Sequence, residues 1–375
     1  MRRLAFALAL AALLFIIPLQ GCLPTTSGAT GGLESVSEVW DYLGREYVEP
    51  AKLNPQEMSR AAIEGMLGKL NDPWTYYLDS STFQLHQRSL EGLYYGIGAR
   101  VSLDEGNLTI VTVFPDSPAD KAGLKAGDSI RAVNGEPVSG MANVQEAVLK
   151  VQGPRGSTVK LLVLRVGQTQ PQEMSLVRAE IKVPSATLAK RGDIALVSLL
   201  QFTDRSDQEM SLVLSEALNT GSRALILDLR DNPGGPLETV VNTTSLFLKK
   251  GQIVLTVADR AGGRSDRKAS DDGLASMIPM VVLVNQHSAS GSEVLAGALQ
   301  DHKRATVAGA KTTGKGSVNR IVPLKDGSAI SITVARWLTP SGRAIEGNGL
   351  VPDVASELQG EELVSWAIEY LKSSK

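Results

Sequence analysis

Two short apolar runs are the feature that most constrains the fold of this chain of 375 residues. Ala224–Leu229 and Met280–Val284 contain a single polar side chain between them. Such runs are too short for a typical helix and are characteristic of strands in a sheet that is covered on both faces. Segments with a helical spacing of apolar residues alternate with them. The pattern predicts an α/β core over residues 169–357 and a C-terminal helix over residues 358–375.

Residues 91–168 have a different pattern, with short strands, frequent turns and one late helix. Asn134-Gly135 has the composition of a hairpin turn. A glycine-bearing loop opens the region, and several N–H groups of such a loop can be presented to one anion. The candidate binding residues in this loop are Tyr95, Gly96, Ile97 and Gly98.

The N-terminus has the pattern of an export signal. Arg2 and Arg3 precede an apolar run over residues 4–19 that is short for a membrane-spanning helix. Cys22 follows this run, at a position that resembles the lipid-attachment site of a bacterial lipoprotein; an ordinary secretory signal with an incidental cysteine is the alternative. The predicted segments are a signal peptide over 1–21, a tether over 22–32 and a helical region over 33–90.

Composition limits the classes of function that the chain can have. The formal net charge of −2 does not favour binding to nucleic acid or to an anionic surface. The chain has one cysteine and three histidines, without a paired ligand motif. No metal site and no cofactor are therefore expected.

A nucleophile is predicted where the strand over residues 280–284 gives way to a helix. Ser288, Ser290 and Ser292 lie there, and the residues alone do not choose among them. Ser290 with Glu293 also fits a capping box, so a purely structural role is the alternative. A helix N-terminus nevertheless suits catalysis, because its free N–H groups and positive dipole end stabilise an oxyanion.

Lys315 is the candidate general base for such a serine, in a loop with glycine on each side. An amine acts as a base only in its neutral form, so its pKa must lie below the ordinary value of about 10.4. An apolar surrounding would lower that pKa. The alternative is a solvated loop lysine. His287 is not taken as the base, because it is too close in sequence to Ser290 to face it without a tight bend.

Several motifs together resemble those of the carboxy-terminal processing, or tail-specific, proteases. The matching segments are Asp228–Gly235, Asn285–Glu293, Thr313–Gly316 and Arg336–Gly342. In that family the nucleophile precedes the base lysine by 25 positions, and 315 − 290 = 25 here. The resemblance therefore implies a Ser290–Lys315 dyad on a crotonase-like α/β core. It also implies an oxyanion hole formed by the N–H groups of Gly235 and Gly291.

The chain departs from the family pattern near the base. A Gln often follows the lysine by four positions and helps to hold it, whereas this chain has Asn319, which is one methylene shorter. Asn319 is the third candidate catalytic residue on this resemblance. Asp301 matches a carboxylate of the family motif and is interpreted as a structural or supporting residue.

Residues 91–168 resemble a PDZ domain, through the glycine loop and through Ser117–Asp128 and Val133–Gly135. In that family the loop binds the terminal carboxylate of a peptide, which adds as a strand to the sheet edge. The resemblance implies a multidomain α+β protein. It would consist of N-terminal helices, a PDZ β-barrel or sandwich domain, and the protease core.

The predicted function is a serine endopeptidase of the cell envelope that binds apolar C-terminal tails and cuts near that end. The expected partners are protein or peptide substrates, the membrane through a lipid anchor, and further copies of the chain through its N-terminal helices. We expect the protein to be exported and to face the periplasm or the cell exterior. A catalytically inactive PDZ-type adaptor is the main alternative, supported by Asn319 and His287. An esterase or amidase for small substrates is the second.

Overall fold

The computed structural model of the chain describes residues 32–104, 107–140 and 144–373. The chain divides into two compact units, of which the first ends at Ile63 and the second begins at Glu64. The first helices are α1 (Leu33–Glu46) and α2 (Pro55–Gly68), separated by a 3-10 turn at Pro50–Lys52. The side chain of Asn54 accepts the N–H of Gln56 at 3.0 Å, which caps the start of α2.

The prediction of a wholly helical region over residues 33–90 is wrong at one point. Strand β1 (Tyr76–Leu78) precedes helix α3 (Ser80–Leu90). The strand pairs with residues 329–331, so its backbone partners come from far along the chain. Local sequence could not show this, because strand pairing depends on the tertiary neighbour more than on intrinsic preference.

Residues 93–182 form antiparallel β-structure with two helices. The elements are β2 (Leu93–Gly96), β3 (Ala99–Asp104), β4 (Asn107–Val113), α4 (Pro118–Lys121), β5 (Ser129–Val133), β6 (Glu136–Pro137), α5 (Val144–Val151), β7 (Thr158–Leu164), β8 (Gln172–Val177) and β9 (Ala179–Lys182). The main sheet has the order β3-β4-β5-β7-β8, while β2 pairs with β9. Its interior is apolar, with Ile110, Ile130 and Leu161 fully buried. The predicted turn at Asn134-Gly135 joins β5 to β6, with positive φ at both residues.

The remaining residues form the α/β core. Its elements are β10 (Ala186–Arg191), β11 (Ile194–Leu199), α6 (Ser206–Asn219), β12 (Ala224–Asp228), α7 (Leu237–Ser245), β13 (Ile253–Asp259), β14 (Arg264–Lys268), β15 (Met280–Val284), α8 (Gly291–Asp301), β16 (Thr306–Gly309), β17 (Ser317–Pro323), β18 (Ala329–Leu338), β19 (Val354–Ala355) and α9 (Gly360–Ser373). One sheet has the order β10-β11-β12-β15-β16-β19, and it is parallel except at β10.

This sheet is covered on both faces, as its apolar strands predicted. Alternate residues such as Leu225 and Leu227 pack with helices α6, α7 and α8. Their neighbours Ala224 and Ile226 pack on the other face with α9. A second sheet has the order β1-β18-β13-β14, with β17 also paired to β18. The parallel strands β12 and β15 end at the same edge of their sheet, which is where the predicted active-site segments begin.

Candidate active site

Ser290 lies in a strained turn between strand and helix. Strand β15 ends at Val284, and α8 begins at Gly291. Ser290 has φ 52° and ψ −109°. Such a conformation costs a residue other than glycine about 1–3 kcal/mol, and it is common at functional sites. A strand-to-helix turn of this kind is also how some hydrolases expose a nucleophilic serine.

The structure separates the three serines that sequence alone could not. The Ser288 hydroxyl donates to the carbonyl of Leu229 at 2.8 Å, and the Ser292 hydroxyl donates to the carbonyl of Asn232 at 2.9 Å. Both of these serines are fully buried. Only Ser290 of the three lines a cavity. Ser288 and Ser292 therefore hold the turn together, and Ser290 is the serine that a substrate can reach.

Glu293 joins the segment of Ser290 to the segment of Lys315. Its carboxylate is fully buried and accepts four hydrogen bonds. One oxygen accepts from the N–H groups of Ser290 and Lys315, at 2.8 and 2.9 Å. The other accepts from the hydroxyl of Thr312 and the N–H of Gly314, at 2.5 and 2.7 Å. The sequence identified Glu293 only as a capping residue, because the partners on the second segment are about twenty residues away.

Lys315 is half-buried and lines the same cavity as Ser290. Its Nζ lies 4.8 Å from the centroid of the Trp74 ring. Within the described residues the amine makes no hydrogen bond or ion pair. Burial lowers the pKa of Lys315 below its ordinary value, although the negative charges of Glu346, Glu293 and Asp72 act in the opposite direction. The direction of this shift is the one that a general base requires.

The role predicted for Asn319 needs correction. Asn319 lines the cavity, but its amide does not bind Lys315. Its Nδ2 donates to the carbonyl of Trp74 at 2.8 Å, and its Oδ1 accepts from the hydroxyl of Ser317 at 2.8 Å. The shorter side chain of Asn319 therefore bonds to Ser317 in its own strand and to the backbone of Trp74, the residue that contacts the base.

Gly235 and Gly291 also line the cavity, beside Ser290. The turn that holds Gly235 packs closely against the start of α8: a Cβ atom on Gly234 would lie 2.6 Å from the N atom of Gly291. A Cβ atom on Gly235 would lie 2.1 Å from the carbonyl oxygen of Phe202. Gly291 is the first residue of α8, so its N–H has no acceptor within the helix. The structure thus brings both predicted donors to the same cavity.

The cavity has a volume of about 430 Å³ and is largely apolar apart from these groups. Its aromatic and aliphatic lining includes Tyr76, Leu90, Phe202, Leu237, Val240, Val294, Val318, Ile321 and Trp337. His86 lines it too, and its pKa is lowered by burial and then by the charge of Lys315. His287 is exposed and contacts the side chain of Gln286 rather than the cavity. His86 is not among the predicted site residues, because α3 reaches the site only through tertiary packing.

A second cavity, of about 300 Å³, lies between the PDZ-like region and the core. The predicted residues Gly96, Ile97 and Gly98 line it, together with Val148 and Val151 of α5. The carbonyls of Ile97 and Gly98 accept from the N–H groups of Ala119 and Phe114, at 2.8 and 2.9 Å. Within the described residues, no acceptor is recorded for the N–H groups of Ile97 and Gly98, so these two donors can meet a ligand.

Tyr95 is a correction to the predicted binding residues. It does not line this second cavity; the guanidinium of Arg88 lies 4.6 Å from the centroid of its ring. Its neighbour Tyr94 lines the cavity instead, and its hydroxyl donates to Oε1 of Gln201 at 2.5 Å. The alternation of side chains along β2 explains the exchange, because successive residues of a strand point to opposite faces.

Other predicted residues lie away from these cavities. The carboxylate of Asp301 accepts from the N–H of Ser341 at 2.8 Å and pairs with Arg343, which agrees with its interpretation as structural. Cys22 lies outside the described residues. Among the residues that the structure describes, no group of His, Cys, Asp and Glu could hold a metal ion. The helices of the described segments are each too short or too polar to cross a membrane.

Comparison with known proteins agrees with this architecture. Peptidase family S41 matches residues 193–356, a PDZ domain matches residues 109–165, and the N-terminal domain of the activating protease CtpB matches residues 22–82. The carboxy-terminal-processing protease of Bartonella bacilliformis is 38% identical over 308 residues, which are 80% of this chain and 70% of that protein. The carboxy-terminal processing protease CtpB of Bacillus subtilis is 33% identical over 346 residues, covering 90% of this chain and 71% of that protein.

A solved structure of the photosystem II D1 C-terminal processing protease matches with a TM-score of 0.56 and 30% identity. The match covers 89% of this chain and 90% of that one. Fold and comparisons together define a serine-type peptidase with a PDZ domain. The chain belongs to the carboxy-terminal processing proteases of peptidase family S41.

Proposed function

We propose that this protease cuts protein tails near their C-terminus with Ser290 as the nucleophile and Lys315 as the general base. The observation that carries the proposal is that both residues open onto one cavity although they come from separate segments. The same cavity presents Gly235 and Gly291. A nucleophile, a base with a lowered pKa and two backbone donors are the groups that peptide hydrolysis requires.

The chemistry follows from these positions. The neutral amine of Lys315 takes the hydroxyl proton of Ser290 as the Oγ–carbon bond forms at the scissile carbonyl. The N–H groups of Gly235 and Gly291 stabilise the negative charge on the carbonyl oxygen. The ammonium of Lys315 then gives its proton to the leaving amine as the carbon–nitrogen bond breaks. Water completes the cycle by hydrolysing the ester to Ser290, with Lys315 again as the base.

Tail capture would take place in the second cavity. Its loop N–H groups suit a terminal carboxylate, and its α5 side suits an apolar side chain. Gln201 and Pro233 line both cavities. A peptide chain bound in the second cavity would therefore pass these two residues to reach the catalytic cavity. This continuity supports capture and cleavage by one molecule over the adaptor alternative.

The test uses the purified protein and an unfolded substrate with an apolar C-terminal tail, and its fragments are mapped by mass spectrometry. We expect cleavage by the wild type and none by Ser290→Ala or Lys315→Ala. Lys311→Ala is the matched control, because Lys311 is an exposed lysine of the same loop. Retained cleavage by Lys315→Ala would contradict the dyad, and tail binding without cleavage by the wild type would favour the adaptor.

The location of the protein is also a proposal. The N-terminal signal pattern and Cys22 support export and a lipid anchor in the cell envelope, facing the periplasm or the exterior. We expect the wild type in the membrane fraction with a lipid on Cys22, and Cys22→Ser in the soluble fraction. Recovery of unlipidated wild type with the soluble proteins would contradict the anchor.

Self-association through the N-terminal helices is the last part of the proposal. Helix α1 has no buried residue, and Val36, Val39 and Trp40 are exposed on it. An apolar stripe of this kind suits pairing with the same helix of a second copy. Sedimentation velocity should give a dimer for the wild type and a monomer for the double variant Val36→Glu, Val39→Glu. Equal values for the two proteins would contradict the pairing.

A further inference from the structure

Trp74 lies beside the catalytic cavity, with its ring against the amine of Lys315. The centroid of its ring lies 4.8 Å from Nζ of Lys315, within the range of a cation–π contact. Hydrogen bonds hold both the side chain and the backbone of Trp74. Its Nε1 donates to Glu346 at 3.1 Å, and its backbone carbonyl accepts from Asn319 and from the hydroxyl of Ser331, at 2.8 and 3.1 Å.

The charged groups around Lys315 are already engaged with other partners. The carboxylate of Glu293 accepts its four hydrogen bonds, and Glu346 accepts the N–H of Gly316 and pairs with Arg336 at 3.1 Å. Asp72 accepts from the hydroxyl of Thr75 at 2.8 Å and from the N–H of Trp74 at 3.1 Å. His86 and Tyr76 are the other titratable groups of the cavity lining. The aromatic ring is thus the direct contact that the structure records for the amine.

We propose that Trp74 is the positioning residue of the base: its ring face orients the Lys315 amine and stabilises the ammonium that forms when Ser290 gives up its proton. This inference rests on the proposed Ser290–Lys315 dyad. Asn319 acts through Trp74, because its amide fixes the backbone of that residue instead of the amine. The aromatic face of Trp74 therefore takes the place of the direct amide contact to Lys315 that the family resemblance implied.

The physical argument is a balance of two opposing effects on one amine. Burial disfavours the ammonium and so makes the amine available as a base at moderate pH. The negative face of the indole favours the ammonium, which is the form of Lys315 after the proton transfer. A hydrogen-bond acceptor in the same place would favour the ammonium more strongly and would keep more of the amine protonated before the reaction. A ring therefore supports the charged product while leaving the free amine accessible.

The test weakens the ring's negative face without changing its shape. Tryptophan with increasing numbers of ring fluorines is incorporated at position 74 alone, and kcat/KM is measured against pH. The ring favours the ammonium, so weakening its negative face lowers the pKa of Lys315. The acid limb of the profile of kcat/KM against pH should therefore move to lower pH by up to about one unit. The plateau of kcat/KM should fall several-fold, because a weaker base accepts the proton less readily. The same substitutions at Trp366, which stacks on Tyr370 in α9, are the matched control and should change neither quantity.

Each outcome is decisive. An acid limb that moves progressively with fluorination at position 74, and not at position 366, supports the inference. A limb that stays in place overturns it, even if the plateau falls, because packing alone would lower activity equally at every pH. Retained activity of Lys315→Ala overturns the dyad and the inference together. An inactive Lys315→Ala with an unmoved limb at position 74 overturns only the role of Trp74.

Discussion

The buried carboxylate of Glu293 connects the backbones of Ser290 and Lys315, the two residues of the proposed dyad. It holds the backbone N–H groups of Ser290 and Lys315 on one oxygen. The carboxylate binds the main chain of both residues, so it fixes the origin of each side chain without bonding to the hydroxyl or the amine. A carboxylate accepts at both oxygens, which is why an amide cannot fill this place.

We predict that Glu293→Gln lowers kcat/KM by about a hundredfold, because small displacements of reacting groups have effects of that size. The amide nitrogen of Gln donates rather than accepts, so it faces donors that have lost their acceptor. Each such buried donor should also lower the free energy of unfolding by about 1–3 kcal/mol. Steady-state kinetics and thermal unfolding check the two effects separately.

Glu209→Gln is the matched control for this prediction. Glu209 is another carboxylate that accepts from a backbone N–H, that of Ser185 at 2.6 Å, and from Arg205, and it does not line the catalytic cavity. Its variant should unfold at a lower temperature with kcat/KM unchanged. Equal losses of kcat/KM in both variants would mean that Glu293 acts on stability and not on the alignment of the dyad.

At the scale of single residues, the family resemblance implied which positions meet but not what each side chain contacts. The resemblance pairs Ser290 with Lys315, 25 positions later, and both residues line one cavity. One partner of Asn319 is the carbonyl of Trp74, which lies in the turn before β1, 245 positions earlier. Contacts of this kind depend on tertiary packing, so no local pattern in the sequence could have indicated them.

At the scale of elements, the Asn232–Gly235 turn and the start of α8 form one unit. The side chain of Asn232 donates to the carbonyl of Leu199 at 2.8 Å and accepts the N–H of Gly234 at 2.9 Å. Its own carbonyl accepts from the N–H of Ala289 at 3.0 Å and from Ser292. A single buried asparagine therefore connects β11, the turn and the segment of the nucleophile.

We predict that Gly235→Ala lowers kcat by about 10²–10³-fold, the usual effect of losing one oxyanion donor. The added methyl group would lie 2.1 Å from the carbonyl oxygen of Phe202, so the turn must move and carry the N–H of residue 235 with it. Tail binding, measured by fluorescence anisotropy with a labelled peptide, should be unchanged. Gly65→Ala is the control: nothing lies within 4 Å of the new atom, and alanine suits the interior of α2. A Gly235→Ala variant with wild-type kcat would remove this residue from the oxyanion hole.

The elements themselves were predictable to different degrees, for one physical reason. Strands β12 and β15 and helix α8 carry continuous or periodic apolar patterns, which reflect burial in the core. Strand β1 has only three residues, and β14 is exposed along its whole length, so neither has such a pattern. Their strand character comes from hydrogen bonds to a neighbouring strand, which a pattern of burial does not encode.

At the scale of the molecule, the two cavities are joined by Gln201. Its Oε1 accepts from Tyr94 of the PDZ-like region, and the residue lines both cavities. Its Nε2 is buried and has no hydrogen-bond partner within the described residues. An unpaired buried donor is unfavourable, so a carbonyl of a passing substrate chain would stabilise it. The route from tail capture to cleavage then has a polar contact at its midpoint.

This arrangement predicts that the free carboxylate of a substrate tail matters even when the cut lies upstream of it. Two peptides of the same sequence, one ending in a carboxylate and one in an amide, should differ in kcat/KM by roughly tenfold to a hundredfold. The reason is that charge-assisted hydrogen bonds from the glycine loop to the carboxylate contribute about 1.5–3 kcal/mol. The difference should disappear in Gly98→Ala, since an added methyl group there would lie 2.2 Å from Cβ of Ser117 and displace the loop. A small ester that occupies only the catalytic cavity should be hydrolysed equally by wild type and variant, which controls for damage to the dyad. Equal cleavage of carboxylate and amide peptides by the wild type would mean that the second cavity does not recognise the terminal carboxylate of the substrate.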